Sequence, residues 1–79
     1  MIFSNQIRAA RTLLGWSQNE LADAAQLGVA TVRRIEGAGA ELKGKADTLW
    51  KIQSALEKAG VIFLPPDQDG GMGVRLKNK

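Results

Sequence analysis

The stretch Trp16–Glu36, WSQNELADAAQLGVATVRRIE, limits the possible folds of this chain more than any other part of it. Ser17, Gln18, Asn19 and Glu20 spell a capping box. In such a box the serine oxygen accepts the third helical N–H, and the glutamate reaches back to the serine's own N–H. Leu21, Ala22 and Ala25 then fall on one side of the helix that follows, over about 17–25. A tight turn at Gln26 and Leu27 leads into a second helix, about 28–36. Its spacing turns Val32 and Ile35 inward with Leu27, and Val29, Ala30, Arg33 and Arg34 outward. Two short helices joined this closely cannot bury both apolar faces against each other. Other helices must serve as a base, and the second helix keeps a cationic outer face.

The rest of the chain is short. Its 79 residues allow one small domain, near the lower limit for a self-sufficient core. Domains of this size often lean on a second subunit. The chain has neither cysteine nor histidine. That removes disulfides, thiolate metal sites, and the commonest general base and transition-metal ligand, so neither a metal nor another cofactor is expected. The carboxylates are scattered singly, and Ser17 has no base nearby in sequence to activate it, so an enzyme is not expected. A net charge of +3 and a pI near 9.7 permit binding to a polyanion. No apolar run approaches the roughly 18–20 residues of a membrane span. A cytoplasmic protein is the expectation.

The segments on either side supply the base. Met1 to Gly15 reads as a first helix, capped by Ser4 or Asn5 and closed by Gly15. Ile7, Ala10 and Leu14, with Leu13 beside them, form its apolar stripe, and Trp16 plugs the gap to the next helix. The loop GAGAELKGK, Gly37 to Lys45, matches a phosphate-binding spacing at Gly39, Gly44 and Lys45. Ala46 stands where that motif needs a hydroxyl, and the loop follows a helix where the motif needs a strand, so nucleotide binding is rejected. Lys43 and Lys45 read instead as loop cations able to reach the backbone of a polyanion. Ala46 to Ala59 has the strongest helical pattern, with Leu49, Ile52 and Leu56 inside and Ala55 and Ala59 helping. Trp50 departs from that face and shares a stripe with Gln53, Ser54 and Glu57. It is either covered by the C-terminal segment or lies at a subunit contact.

After Gly60 the pattern changes from helix to strand. Val61–Leu64 is a short β-type run and Gly73–Lys77 a second, with Val74 and Leu76 alternating against Arg75 and Lys77; turn residues lie between them, and the two should pair as a hairpin. An isolated hairpin is marginal in water, so this one must pack on the Ala46–Ala59 helix or extend a partner's sheet. Asp67, Gln68, Asp69 and Gly70 faintly resemble the start of a calcium loop, but the remaining ligands are missing and a plain turn is expected.

Four helices arranged this way have the geometry of a helix-turn-helix, whose second helix enters the DNA major groove. The run IRAARTLLGWSQNELADAAQLGVATVRRIEGAG resembles the Cro and Xre-type helix-turn-helix domain of phage repressors and bacterial regulators, over about Ile7 to Leu56. The tail, ALEKAGVIFLPP with GVRLK, is similar to very short bacterial regulators without a sensing domain. The resemblance implies a mainly α, four-helix lambda repressor-like domain over 1–60, followed by a β-hairpin extension over 61–79. It also implies that Gln18 contacts a phosphate and buttresses the recognition helix, and that Gly28, Val29, Ala30, Thr31, Arg33 and Arg34 face bases or nearby phosphates. It implies further that Arg11 pairs with Glu36 to tie the first helix to the end of the 28–36 helix. In two places the chain departs from the family: Gln26 replaces the usual turn glycine, and Gly28 replaces the usual hydroxyl cap. The function expected is a sequence-specific transcriptional regulator on double-stranded DNA. A homodimer would form through the Ala46–Ala59 helix, the hairpin or both, using Trp50, Val61, Phe63, Val74 and Leu76. The alternative is an antitoxin-like module with a protein partner.

Overall fold

The computed structural model describes residues 4–37 and 46–77. Four helices precede a two-stranded sheet: α1 Ser4–Leu14, α2 Gln18–Ala25, α3 Val29–Glu36, α4 Ala46–Lys58, β1 Val61–Leu64 and β2 Gly73–Leu76. α1 already contains Ser4, whose side chain is buried, and Asn5, so neither caps it as expected. Gly15 follows in the left-handed region, at φ 71°, where a residue without Cβ closes a helix at little cost.

The capping box forms as the sequence predicts. The Ser17 oxygen accepts the Glu20 N–H at 3.1 Å, and the Ser17 N–H donates to Glu20 Oε1 at 3.0 Å. At the other end of α2, Gln26 takes the left-handed conformation, at φ 58° and ψ 46°, and its N–H satisfies carbonyls of Ala22 and Asp23. The turn thus keeps the helix-turn-helix shape, and Gln26 carries the strain that a glycine would avoid. Gln26→Gly should therefore raise stability by about 0.5–1 kcal/mol, the relief at φ 58° exceeding the glycine's extra freedom in the unfolded chain. Urea or thermal denaturation measures the change, and a loss of stability would show that Gln26 makes compensating contacts.

One core joins all four helices and the first strand. Ile7 and Ala10 of α1, Leu21, Ala22 and Ala25 of α2, Val32 and Ile35 of α3, and Ile52, Ala55 and Leu56 of α4 are buried together with Val61 of β1. Leu14, Trp16, Leu27, Leu49, Phe63 and Val74 pack around this cluster. Two positions differ from the periodic pattern. Leu13 lies outside the core and is largely exposed, and so is Ala59, because α4 ends at Lys58.

The strands pair antiparallel, with Val61 opposite Leu76 and Phe63 opposite Val74. β1 packs on α4 and β2 on α1, so the hairpin rests on both terminal helices of the bundle. The side-chain amide of Gln6, itself buried in α1, donates to the Gly73 carbonyl at 3.1 Å and fastens the hairpin to the helices. In the turn, Asp67 Oδ1 accepts the backbone N–H groups of Asp69 and Gly70, the side-chain-closed turn that aspartate favours. No helix among the described residues is long and apolar enough to cross a membrane.

Candidate nucleic-acid interface

α3 is a helix with two different sides. Val32, Ile35 and Glu36 are buried, whereas Ala30, Arg33 and Arg34 are exposed. Spacings of three and four residues put Ala30, Arg33 and Arg34 on one side of the cylinder. Val29 corrects the sequence expectation: it is half-buried and packs against the core, so only part of its surface faces outward. Thr31 is half-buried as well. Gly28 is the N-cap, in extended conformation at φ −75° and ψ 147°, and provides no side-chain cap bond. The backbone amides of the first turn of α3 are left without a capping side chain, and such amides attract anions. A Cβ added at Gly28 would meet nothing within 4 Å, so a serine fits there without moving any neighbour.

The buried end of α3 is held by a polar network. Arg11 Nε and Nη2 donate to Glu36 Oε2 and Oε1 at 2.8 and 3.0 Å. Arg11 Nη1 donates to the Trp16 carbonyl at 3.0 Å. Glu36 is 3% exposed. It therefore ties α1 to α3 through a forked, charge-assisted pair, as the resemblance implies. Gln18 joins the same carboxylate, its Nε2 donating to Glu36 Oε1 at 3.2 Å. This bond escaped the sequence reading, because 18 residues separate its partners and no periodicity connects them. Gln18 is half-buried and its amide is anchored at the end of the recognition helix, a placement consistent with a buttressing role.

Arg11, Trp16, Gln18 and Glu36 are thus brought into one cluster, and Ala30, Arg33 and Arg34 into one exposed face. Arg11–Glu36 is the single ion pair among the described residues, so Arg33 and Arg34 enter no ion pair there. Their guanidinium groups are charged, solvated and aligned on one side of a helix, turned away from the core. Lys43 and Lys45 lie outside the described residues, as does the spacing rejected above as a nucleotide loop.

A capped helix, a tight left-handed turn and a second helix with a cationic outer face define a DNA-binding helix-turn-helix domain. The model of the helix-turn-helix family matches residues 7–60, from within α1 to Gly60 just beyond α4, and the chain belongs to this Cro/C1-type family. No curated protein matches the chain in sequence.

Proposed function

We propose that the protein is a sequence-specific transcriptional regulator that reads an inverted repeat as a homodimer, placing one α3 in each of two successive major grooves. The observation that carries this reading is the exposed side of α3, where Ala30, Arg33 and Arg34 stand together with no core contact to explain them. Arg34 is the guanine reader, since the guanidinium fork matches the O6 and N7 acceptors. Ala30 and the exposed part of Val29 meet the apolar features of the groove, such as a thymine methyl. Gln18, Gly28, Thr31 and Arg33 lie beside phosphates or base edges, and Lys43 and Lys45, between α3 and α4 in the chain, hold phosphates.

Selection of bound sequences from random DNA tests the proposal. A palindromic consensus with half-sites one helical turn apart is the expected result, and no enrichment would overturn it. Arg34→Ala should cost about 1–3 kcal/mol of preference at one base position, whereas Lys43→Ala should weaken all sequences evenly and reduce the salt dependence. Equal losses on every sequence for both variants would remove Arg34 from the reading role.

An antitoxin-like role rests on Trp50, which is 62% exposed on α4 and is not covered by the hairpin. Co-purification of the native chain with a second protein from its own cell identifies that role.

A further inference from the structure

The hairpin has an edge that no strand of the described chain fills. The sheet has two strands, so β2 has β1 on one side and no strand on the other. The Lys77 N–H donates to the Gly60 carbonyl at 2.8 Å. Bonded pairs recur at every second residue of an antiparallel ladder, so Ile62–Arg75 and Leu64–Gly73 are bonded pairs as well. The backbone N–H and C=O groups of Val74 and Leu76 therefore point away from β1, toward the open edge. Leu76 is 41% exposed, so solvent reaches this edge at its C-terminal end.

The side chains along the edge alternate in chemistry. Val74 and Leu76 share a face with Val61 and Phe63, their cross-strand partners, and this face turns toward the core. Val61 is buried, and Phe63 and Val74 pack against the core, but Leu76 extends past it. Arg75 and Lys77 lie on the opposite face, both exposed, beside the half-buried Ile62 and Leu64. Neither cation enters an ion pair, since Arg11–Glu36 is the single one among the described residues. Neither strand contains a carboxylate. A groove of about 160 Å³ follows this end of the sheet, lined by Ile62, Arg75, Leu76 and Lys77.

Such an edge selects the strand that can join it. Cations at an edge commonly guard it against pairing with another copy. Two β2 strands side by side would bring Arg75 and Lys77 of both copies onto one face, like charge against like charge. A strand alternating carboxylates with apolar residues instead meets the cations on one face and Leu76 on the other, while its backbone pairs with the free amides and carbonyls. No run of this chain alternates two carboxylates with apolar residues, so that strand belongs to another molecule. A DNA backbone would use the two cations but leave Leu76 and the edge amides unused. The hairpin also packs on α1 and α4, whereas α3 packs on α1 and α2.

We infer that the open edge of β2 is a docking site for a different protein: an extended acidic segment adds to the sheet as a third strand, its carboxylates beside Arg75 and Lys77 and its apolar residues beside Leu76. The inference goes beyond the DNA reading and does not depend on it.

The test uses the full chain and a short synthetic peptide of alternating valine and glutamate, capped at both ends. Three probes accompany it: the same peptide with lysine for glutamate, a backbone N-methylated copy of the glutamate peptide, and duplex DNA of random sequence. The glutamate peptide should bind about tenfold or more tighter than the lysine peptide. The N-methylated copy keeps every charge but loses backbone donors, and it should lose most of the binding. Bound peptide should slow hydrogen exchange at the Val74 and Leu76 amides. Arg75→Glu combined with Lys77→Glu should reverse the preference, so that the lysine peptide binds tighter. Both positions are exposed, and the far-ultraviolet spectrum should stay that of the folded chain. No binding of the glutamate peptide, equal binding of its N-methylated copy, or no reversal in the double variant would overturn the inference. Protection at α3 with β2 unchanged would mean that the peptide only screens the DNA face, and the inference would fall. It would fall also if the double variant lost affinity for random duplex DNA and not for the glutamate peptide, since Arg75 and Lys77 would then be backbone cations. Selection of bound DNA by the double variant keeps the two readings apart: an unchanged consensus beside a reversed peptide preference supports both, and no enrichment by the native chain rejects the operator alone.

Discussion

Glu36→Ala is expected to lower stability by about 3–5 kcal/mol, the cost of breaking a buried pair by removing one partner. The Glu36 carboxylate takes two hydrogen bonds from Arg11 and one from Gln18 at 3% exposure, so its removal leaves three donor groups without that acceptor. Without it, the Arg11 guanidinium keeps only the Trp16 carbonyl, with its side chain 20% exposed. A single core of this size supplies only about 3–5 kcal/mol of net stability, so the variant should be near unfolding at ordinary temperature. Urea denaturation measures the loss. Replacing both partners, as in Arg11→Met with Glu36→Leu, should recover most of it, because no charge is then left buried alone. The double variant separates two roles of Glu36. Its fold should return, but Gln18 would remain without its anchor, and DNA affinity should stay below wild type. A cost under about 1 kcal/mol for Glu36→Ala would mean that solvent reaches Arg11 and that the network contributes little.

Leu21→Ala should cost a similar amount, about 3–5 kcal/mol, for a different reason. Leu21 is fully buried in the middle of α2, and α2 packs against both α3 and α4. Truncation removes the transfer free energy of the side chain and leaves a cavity that three helices cannot easily close. Because α2 is the platform for α3, binding to DNA should fall together with stability, and a bound operator should restore part of the lost melting temperature by mass action. Leu13→Ala provides the contrast. Leu13 is 47% exposed on α1, so the same chemical change there should stay within about 0.5 kcal/mol. Comparable losses at the two leucines would place Leu13 in a contact that one chain does not contain.

Much of the site could be read from local signals. The box at Ser17 and Glu20 is a four-residue pattern with one geometric solution, and Gly15 needs only its own left-handed backbone. Leu21, Val32, Ile52 and Leu56 follow helical periodicity because burial of one helix face repeats with the turn. Periodicity is a weaker guide at helix ends, where a residue's neighbours come from another element. Val29 reads as outward by angle, yet the start of α3 lies close enough to the core to cover part of it. Ser4 has the chemistry of a cap, but α1 starts early enough to make it helical and buried. Ala59 continues the helical pattern of α4 but lies beyond its end.

Local signals in the chain were enough to specify the helix-turn-helix: its cap, its apolar stripes, the two arginines on its outer side and the hairpin after Gly60. These are short-range consequences of backbone hydrogen bonding and of burying one face of each element. How Gln26 makes the turn was decided in three dimensions, since a side chain at φ 58° is tolerated only when the helices on both sides hold it there. Packing alone also joined Gln18 to Glu36, placed Val61 in the core, and left Trp50 beside an open groove. Each of these depends on residues far apart in the chain, whose proximity is set by the packing of whole helices and not by any local preference.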